Sequence, residues 1–132
     1  MQTFGSITPS SGYILALDLG TTGNRAFVFN ADGEMIGQAY KELTQYYPQP
    51  GWLEHDPEEI WRDTCWVMQT AIKNAQIKPS AIAALGLTVQ RETCLIWDKT
   101  TGQCTTPAFS PCGLRSDRLS SFRSSTSNQR IF

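Results

Sequence analysis

The chain has 132 residues, a formal net charge of −1 and a hydrophobic content of 40%, which is ordinary for a globular protein and enough for one modest core. No apolar run approaches the ~20 residues a bilayer-spanning helix needs, and the lead Met1 to Gly12 has neither the basic start nor the apolar stretch of a secretory signal. A cytoplasmic protein with no membrane partner is expected. Cys65, Cys94, Cys104 and Cys112 contain no Cys-x-x-Cys pair, and the single histidine, His55, completes no zinc set. The four are read as reduced thiols, with Cys65 and Cys94 buried.

In chain order, the lead of residues 1–12 reads as disordered. Tyr13-Ile14-Leu15-Ala16-Leu17 is apolar and short, as a buried strand is, and Arg25-Ala26-Phe27-Val28-Phe29 resumes strand character. Between them lies Asp18-Leu19-Gly20-Thr21-Thr22-Gly23-Asn24-Arg25, which sets a carboxylate, two hydroxyls and two glycines in a bend between strands. Glycine lets backbone N–H groups approach an anion closely, and Thr21 and Thr22 add hydroxyl donors. Asp18 can hold a magnesium ion through water, because that metal prefers oxygen ligands and keeps much of its hydration. An ordinary glycine turn with a capping aspartate is the alternative for this octet taken alone.

Asn30-Ala31-Asp32-Gly33 marks a hairpin that pairs Ala26–Phe29 with Met35–Tyr40, so three antiparallel strands open the fold. Asp56-Pro57-Glu58-Glu59 reads as a helix start, with Pro in the first turn and acids suited to the helix dipole. The helix is expected from about Pro57 to Asn74, with Ile60, Trp61, Cys65, Val67, Met68, Ala71 and Ile72 as its core-facing stripe. His55 reads as a turn residue ahead of that helix, not as an acid-base group. Ala81–Thr88 and Cys94–Trp97 read as further strands, with Arg91 and Glu92 at the turn between them. As an isolated dipeptide, Arg91-Glu92 is equally a surface ion pair of little consequence.

Three segments together resemble a known family. The Asp18–Arg25 octet resembles the first phosphate loop of the actin and sugar-kinase superfamily, in the form found in the FGGY carbohydrate kinases. Tyr47-Pro48-Gln49-Pro50-Gly51-Trp52-Leu53-Glu54-His55-Asp56-Pro57, followed by Ile60-Trp61, resembles that family's Pro-Gly-Trp-x-Glu-x-Asp-Pro signature. Gly86-Leu87-Thr88-Val89-Gln90-Arg91-Glu92-Thr93 is similar to the strand and turn with which the glycerol kinases of this family hold glycerol. The resemblance covers about Tyr13 to Gly102 and implies an α/β, ribonuclease-H-like fold, present here as an incomplete N-terminal domain over residues 13–102.

The resemblance further implies ATP- and Mg2+-dependent phosphorylation of glycerol to glycerol 3-phosphate. In that reading Thr21, Thr22, Gly23 and Arg25 contact nucleotide phosphates, Asp18 sits near the metal, and Arg91 and Glu92 hydrogen-bond the glycerol hydroxyls. Arg25 is a permanently charged fork suited to phosphate oxygens. Arg91 donates and Glu92 accepts, so together they satisfy hydroxyls that do both. A kinase of another polyol or sugar, and a non-catalytic fragment that associates with a complete kinase subunit, are the alternatives. No residue of the chain is assignable as the general base, so the chain alone is expected to be inactive, and a partial sheet is expected to leave apolar surface and an edge uncovered.

After Gly102 the resemblance stops. Residues 103–132 are rich in serine and carry Arg115, Arg118, Arg123 and Arg130 against Asp117 alone, behind an acidic body. With no apolar period this tail reads as disordered, and four arginines with little aromatic interleaving are a poor nucleic-acid footprint. Codons for Cys104-Thr105-Thr106-Pro107, read one nucleotide earlier, can encode Leu-His-Asn-Ala, a stretch family members often have at that place. A change of reading frame near Gln103 is therefore the expected origin of both the tail and the lost resemblance.

Overall fold

A computed structural model of the chain describes residues 12–104 and the backbone of Ala108–Ser110. The expectations for the lead before Gly12, for Cys112 and for the basic Ser/Arg stretch lie outside the described residues. The chain divides into two compact units, Met1–Leu43 with Trp61–Gln90 and Thr44–Ile60 with Arg91–Phe132.

In the first unit, β1 (Tyr13–Leu19), β2 (Gly23–Phe29), β3 (Met35–Glu42) and β5 (Ile82–Val89) form one sheet in the order β3-β2-β1-β5. The first three are antiparallel neighbours, and β5 runs parallel to β1. The α/β reading and the three-strand opening therefore hold. The period-2 alternation puts Leu15 and Leu17 on the same face as their cross-strand partners Val28 and Ala26. That face is buried with Ala39 against Val67 and Ala71 of α1 (Pro57–Asn74). The helix occupies the residues its sequence signals mark, and Asp56 caps it by accepting from the Glu58 N–H at 2.9 Å. Past its end at Asn74 the chain turns at Gln76, a non-glycine residue at φ 56°.

The close approach of sheet to helix depends on Gly37, where a Cβ would lie 2.5 Å from the Ala71 carbonyl oxygen and 2.6 Å from the Ala75 nitrogen. On the same side of the sheet, the row Leu85, Leu87 and Val89 of β5 stands beside Leu15, Leu17 and Leu19. These three are about half exposed, and β5 is an edge strand in the described sheet.

The second unit holds a strand that the periodicity does not reveal. β4 (Leu53–His55) pairs antiparallel with β6 (Ala108–Ser110), so three residues of the segment read as a disordered tail form a strand. The Pro-Gly-Trp signature is a hairpin: Tyr46 and Glu54 exchange both backbone hydrogen bonds, and the Trp52 N–H closes a turn onto the Gln49 carbonyl at 3.0 Å. Pro50 and Gly51 are the central residues of that turn, and Gly51 takes φ 77°, which suits a type II turn.

Four expectations need correction. His55 is the last residue of β4 and fully buried, not a turn residue. Cys94–Trp97 is no continuous strand: Cys94 and Trp97 take part in isolated bridges, Trp97 with Cys104, and Asp98 turns the chain back at once. Cys65 is half-buried and Cys94 exposed, since Cys65 lies on the flank of α1 and Cys94 lacks the strand that was to bury it. Likewise Trp61 belongs to the exposed side of α1, at 68% exposure.

Candidate functional site

The three-residue connection Gly20–Thr22 between β1 and β2 is braced from several directions. The Gly20 N–H donates to the Gly23 carbonyl at 3.0 Å, and the Leu43 N–H donates to the Thr22 carbonyl at 3.1 Å. From the end of β5, Gln90 Nε2 donates to the Gly20 carbonyl at 2.9 Å. From β3, the Tyr40 hydroxyl donates to the Thr22 carbonyl at 3.3 Å. The carbonyls of Gly20 and Thr22 are thus taken by protein donors. No backbone acceptor among the described residues meets the N–H groups of Thr21 and Thr22. A bend with its oxygens engaged and successive N–H groups available is an anion-binding concavity, and Thr22 is exposed there while Thr21 is half-buried.

Asp18 and Arg25 face each other at the mouth of the same hairpin, as cross-strand partners. Arg25 Nη1 lies 3.2 Å from Asp18 Oδ2, with the side chains 42% and 41% exposed. An ion pair this exposed adds little stability, and it occupies one of the five guanidinium donors. The guanidinium also lies 5.0 Å from the centroid of the Tyr40 ring. Thr88 of β5 completes the row on the far side of Asp18.

Beneath the hairpin, on the helix side, Asn24 is fully buried and its Nδ2 donates to Thr64 Oγ1 of α1 at 3.2 Å. Asp63, 1% exposed, forms ion pairs with Lys41 Nζ at 3.1 Å and Arg62 Nε at 3.5 Å. Lys41 also stands 5.4 Å from the Trp66 ring centroid.

In the second unit, Arg91 and Glu92 occupy an exposed bend directly after Gln90. Glu59, nearly buried, accepts from the Thr44 N–H at 3.2 Å and the Thr44 hydroxyl at 2.7 Å. Asp98 accepts from the Thr100 N–H at 2.9 Å, the Thr101 N–H at 2.7 Å and the Thr101 hydroxyl at 3.1 Å. The Thr101 backbone bond, then the Thr101 hydroxyl, then the Thr100 backbone bond hold its carboxyl below the ordinary aspartate value.

The first unit therefore brings Asp18, Thr21, Thr22, Gly23 and Arg25 together, while Arg91 and Glu92 belong to the second. Among the described residues no group of three or more His, Cys, Asp and Glu is arranged to cage a metal ion. One half-exposed carboxylate still fits a magnesium ion that keeps its waters and takes its other ligands from phosphate. Tyr40 and Asn24 carry no sequence signal of a role at this hairpin.

The family model described as the N-terminal domain of the FGGY family of carbohydrate kinases matches residues 13–131. A glycerol kinase of Trichormus variabilis is 81% identical over 96 residues, 73% of this chain and 19% of the relative. A glycerol kinase of Nostoc sp. is 82% identical over 94 residues, 71% of this chain and 19% of the relative. The chain thus spans about a fifth of the length of the curated relatives it matches. Among solved structures, Plasmodium falciparum glycerol kinase with ADP is similar at TM-score 0.73 and 29% identity, over 93% of this chain and 25% of that one.

Proposed function

The chain belongs to the FGGY family of carbohydrate kinases as its N-terminal domain, and from that premise we propose that it is the N-terminal part of an ATP-dependent glycerol kinase, inactive as this chain alone. The observation that carries the reading is the braced hairpin: its carbonyls are engaged by Gln90, Leu43 and Tyr40 while the Thr21 and Thr22 N–H groups stay available. The high identity to glycerol kinases supports glycerol as the acceptor.

In this reading Thr21, Thr22, Gly23 and Arg25 hold nucleotide phosphates, and Asp18 holds the hydration shell of Mg2+, which would neutralise phosphate charge when bound. Arg91 and Glu92 orient the glycerol hydroxyls. A hydroxyl oxygen attacks the terminal phosphorus, the new O–P bond forms as the bond to the ADP oxygen breaks, and the hydroxyl proton passes to a base. None of the described residues is assigned that role. Positioning both substrates is most of the catalysis in phosphoryl transfer, so a chain that supplies only these groups does not turn over.

Cytoplasmic location is part of the proposal, supported by Cys65, Cys94 and Cys104 being free thiols. So is a change of reading frame near Gln103. Association with a complete kinase subunit is a second reading, favoured by the uncovered apolar row on β5; pull-down with a full-length relative tests it. The main reading is tested by calorimetric titration with Mg-ATP and with glycerol, run on this chain and on the same gene product continued in the alternative frame. Binding of both ligands by the continued product is expected, and binding of neither would sink the proposal.

A further inference from the structure

We propose that Tyr40 is a positioning residue of the phosphate hairpin, holding the Thr22 carbonyl and the Arg25 guanidinium in the arrangement that receives an anion. The inference rests on the reading of that hairpin as a phosphate site. Tyr40 lies on β3, which supplies none of the expected binding residues, yet it meets the hairpin in three ways.

Its hydroxyl donates to the Thr22 carbonyl, the acceptor that also receives the Leu43 N–H. This engages an oxygen whose partial negative charge would otherwise repel phosphate. Its ring lies under the Arg25 guanidinium at 5.0 Å, where the aromatic quadrupole attracts the cation. Its ring also fills the space over Gly23, where a Cβ would come within 2.5 Å of Tyr40 Cε2 and 2.6 Å of the Lys41 carbonyl oxygen. Thus Gly23 is glycine for want of room, its φ not being in the left-handed region. One side chain therefore braces three of the four residues expected to touch phosphate, and Asp18 braces Arg25 from the opposite strand. An anion met by a loop already ordered loses less freedom on binding.

The test is amide hydrogen exchange by NMR on the full chain, with tripolyphosphate titration as a second readout. The Gly20 and Leu43 amides report the loop, because both are bonded within it, and the Val67 and Ala71 amides report the core. Tyr40→Leu should speed loop exchange about tenfold relative to the core amides, and Tyr40→Phe, which keeps the ring, about threefold. The upfield ring-current shift of the Arg25 side chain should persist in Tyr40→Phe and vanish in Tyr40→Leu. Tripolyphosphate affinity should fall in the same order. Unchanged loop exchange and an unchanged Arg25 shift in Tyr40→Leu would overturn the proposal, as would loop and core exchange rising in step. If the unmodified chain takes up no tripolyphosphate, the phosphate reading fails, while exchange and ring current still decide the role of Tyr40.

Discussion

Asn24 Nδ2 donates to Thr64 Oγ1 at 3.2 Å with both residues buried, which ties the residue after the phosphate hairpin to α1. Thr64→Val keeps the shape and removes the acceptor, so it should cost about 1–3 kcal/mol in urea unfolding, the range for losing a buried hydrogen-bond partner. Thr64→Ser keeps the hydroxyl and should lose less than Thr64→Val. Equal losses in both variants would show that the bond itself contributes nothing.

Gly37 and Gly86 make a paired test of packing. A Cβ on Gly37 would collide with backbone atoms of α1, whereas one on Gly86 meets nothing within 4 Å. Gly37→Ala should destabilise by roughly 1–3 kcal/mol, as overpacking of a tight interface does. Gly86→Ala should be neutral or mildly stabilising in the same thermal melt. A neutral Gly37→Ala would mean that the helix moves away without penalty.

How much of this was legible in the sequence depends on whether a pattern is local. The α1 boundaries follow from Asp56-Pro57 and the apolar spacing, and the β1–β2 hairpin from two apolar runs around Gly20–Gly23. The partner of Arg25 is not local. Counting back from the Asn30–Gly33 turn sets Arg25 opposite Ala39, but Phe29 pairs with Met35 and Val28 with Gly37, so Ile36 is an extra residue. That bulge shifts the register by one and brings Tyr40, not Ala39, opposite Arg25. β4 was hidden for another reason: Leu53–His55 has no room for an alternating pattern, and its partner β6 is more than fifty residues away. His55 looked polar enough for a turn, yet it is the last residue of β4 and fully buried.

Asp98 gives a pH dependence. Its folded carboxyl titrates below the unfolded value of 3.8 because the charged form accepts three donors from Thr100 and Thr101. A depressed carboxyl stabilises the turn fully above the unfolded pKa, and the contribution is lost as pH falls from there through the lower folded pKa. The Thr101 amide shift should follow that titration, with its midpoint below the unfolded value. In Asp98→Ala the acid-range movement should disappear; if it persists, another group is responsible.

The uncovered row of β5 should govern self-association. Leu85 and Leu87 are 51% and 58% exposed on the edge strand of the described sheet, the arrangement natural sheets protect with charge. Leu87→Lys should increase the monomer fraction in size-exclusion chromatography at micromolar concentration without altering the helical circular dichroism. An unchanged elution profile would place any association elsewhere.

The measurement that reaches furthest is glycerol-dependent release of ADP from Mg-ATP, assayed for this chain beside the gene product continued in the alternative frame. The account predicts release by the continued product only, dependent on glycerol, and reduced on the order of a hundredfold by Arg25→Ala, since a charge clamp on a transferring phosphoryl group is worth that much. A continued product that releases no ADP with glycerol, or an Arg25→Ala variant as active as its parent, would contradict it.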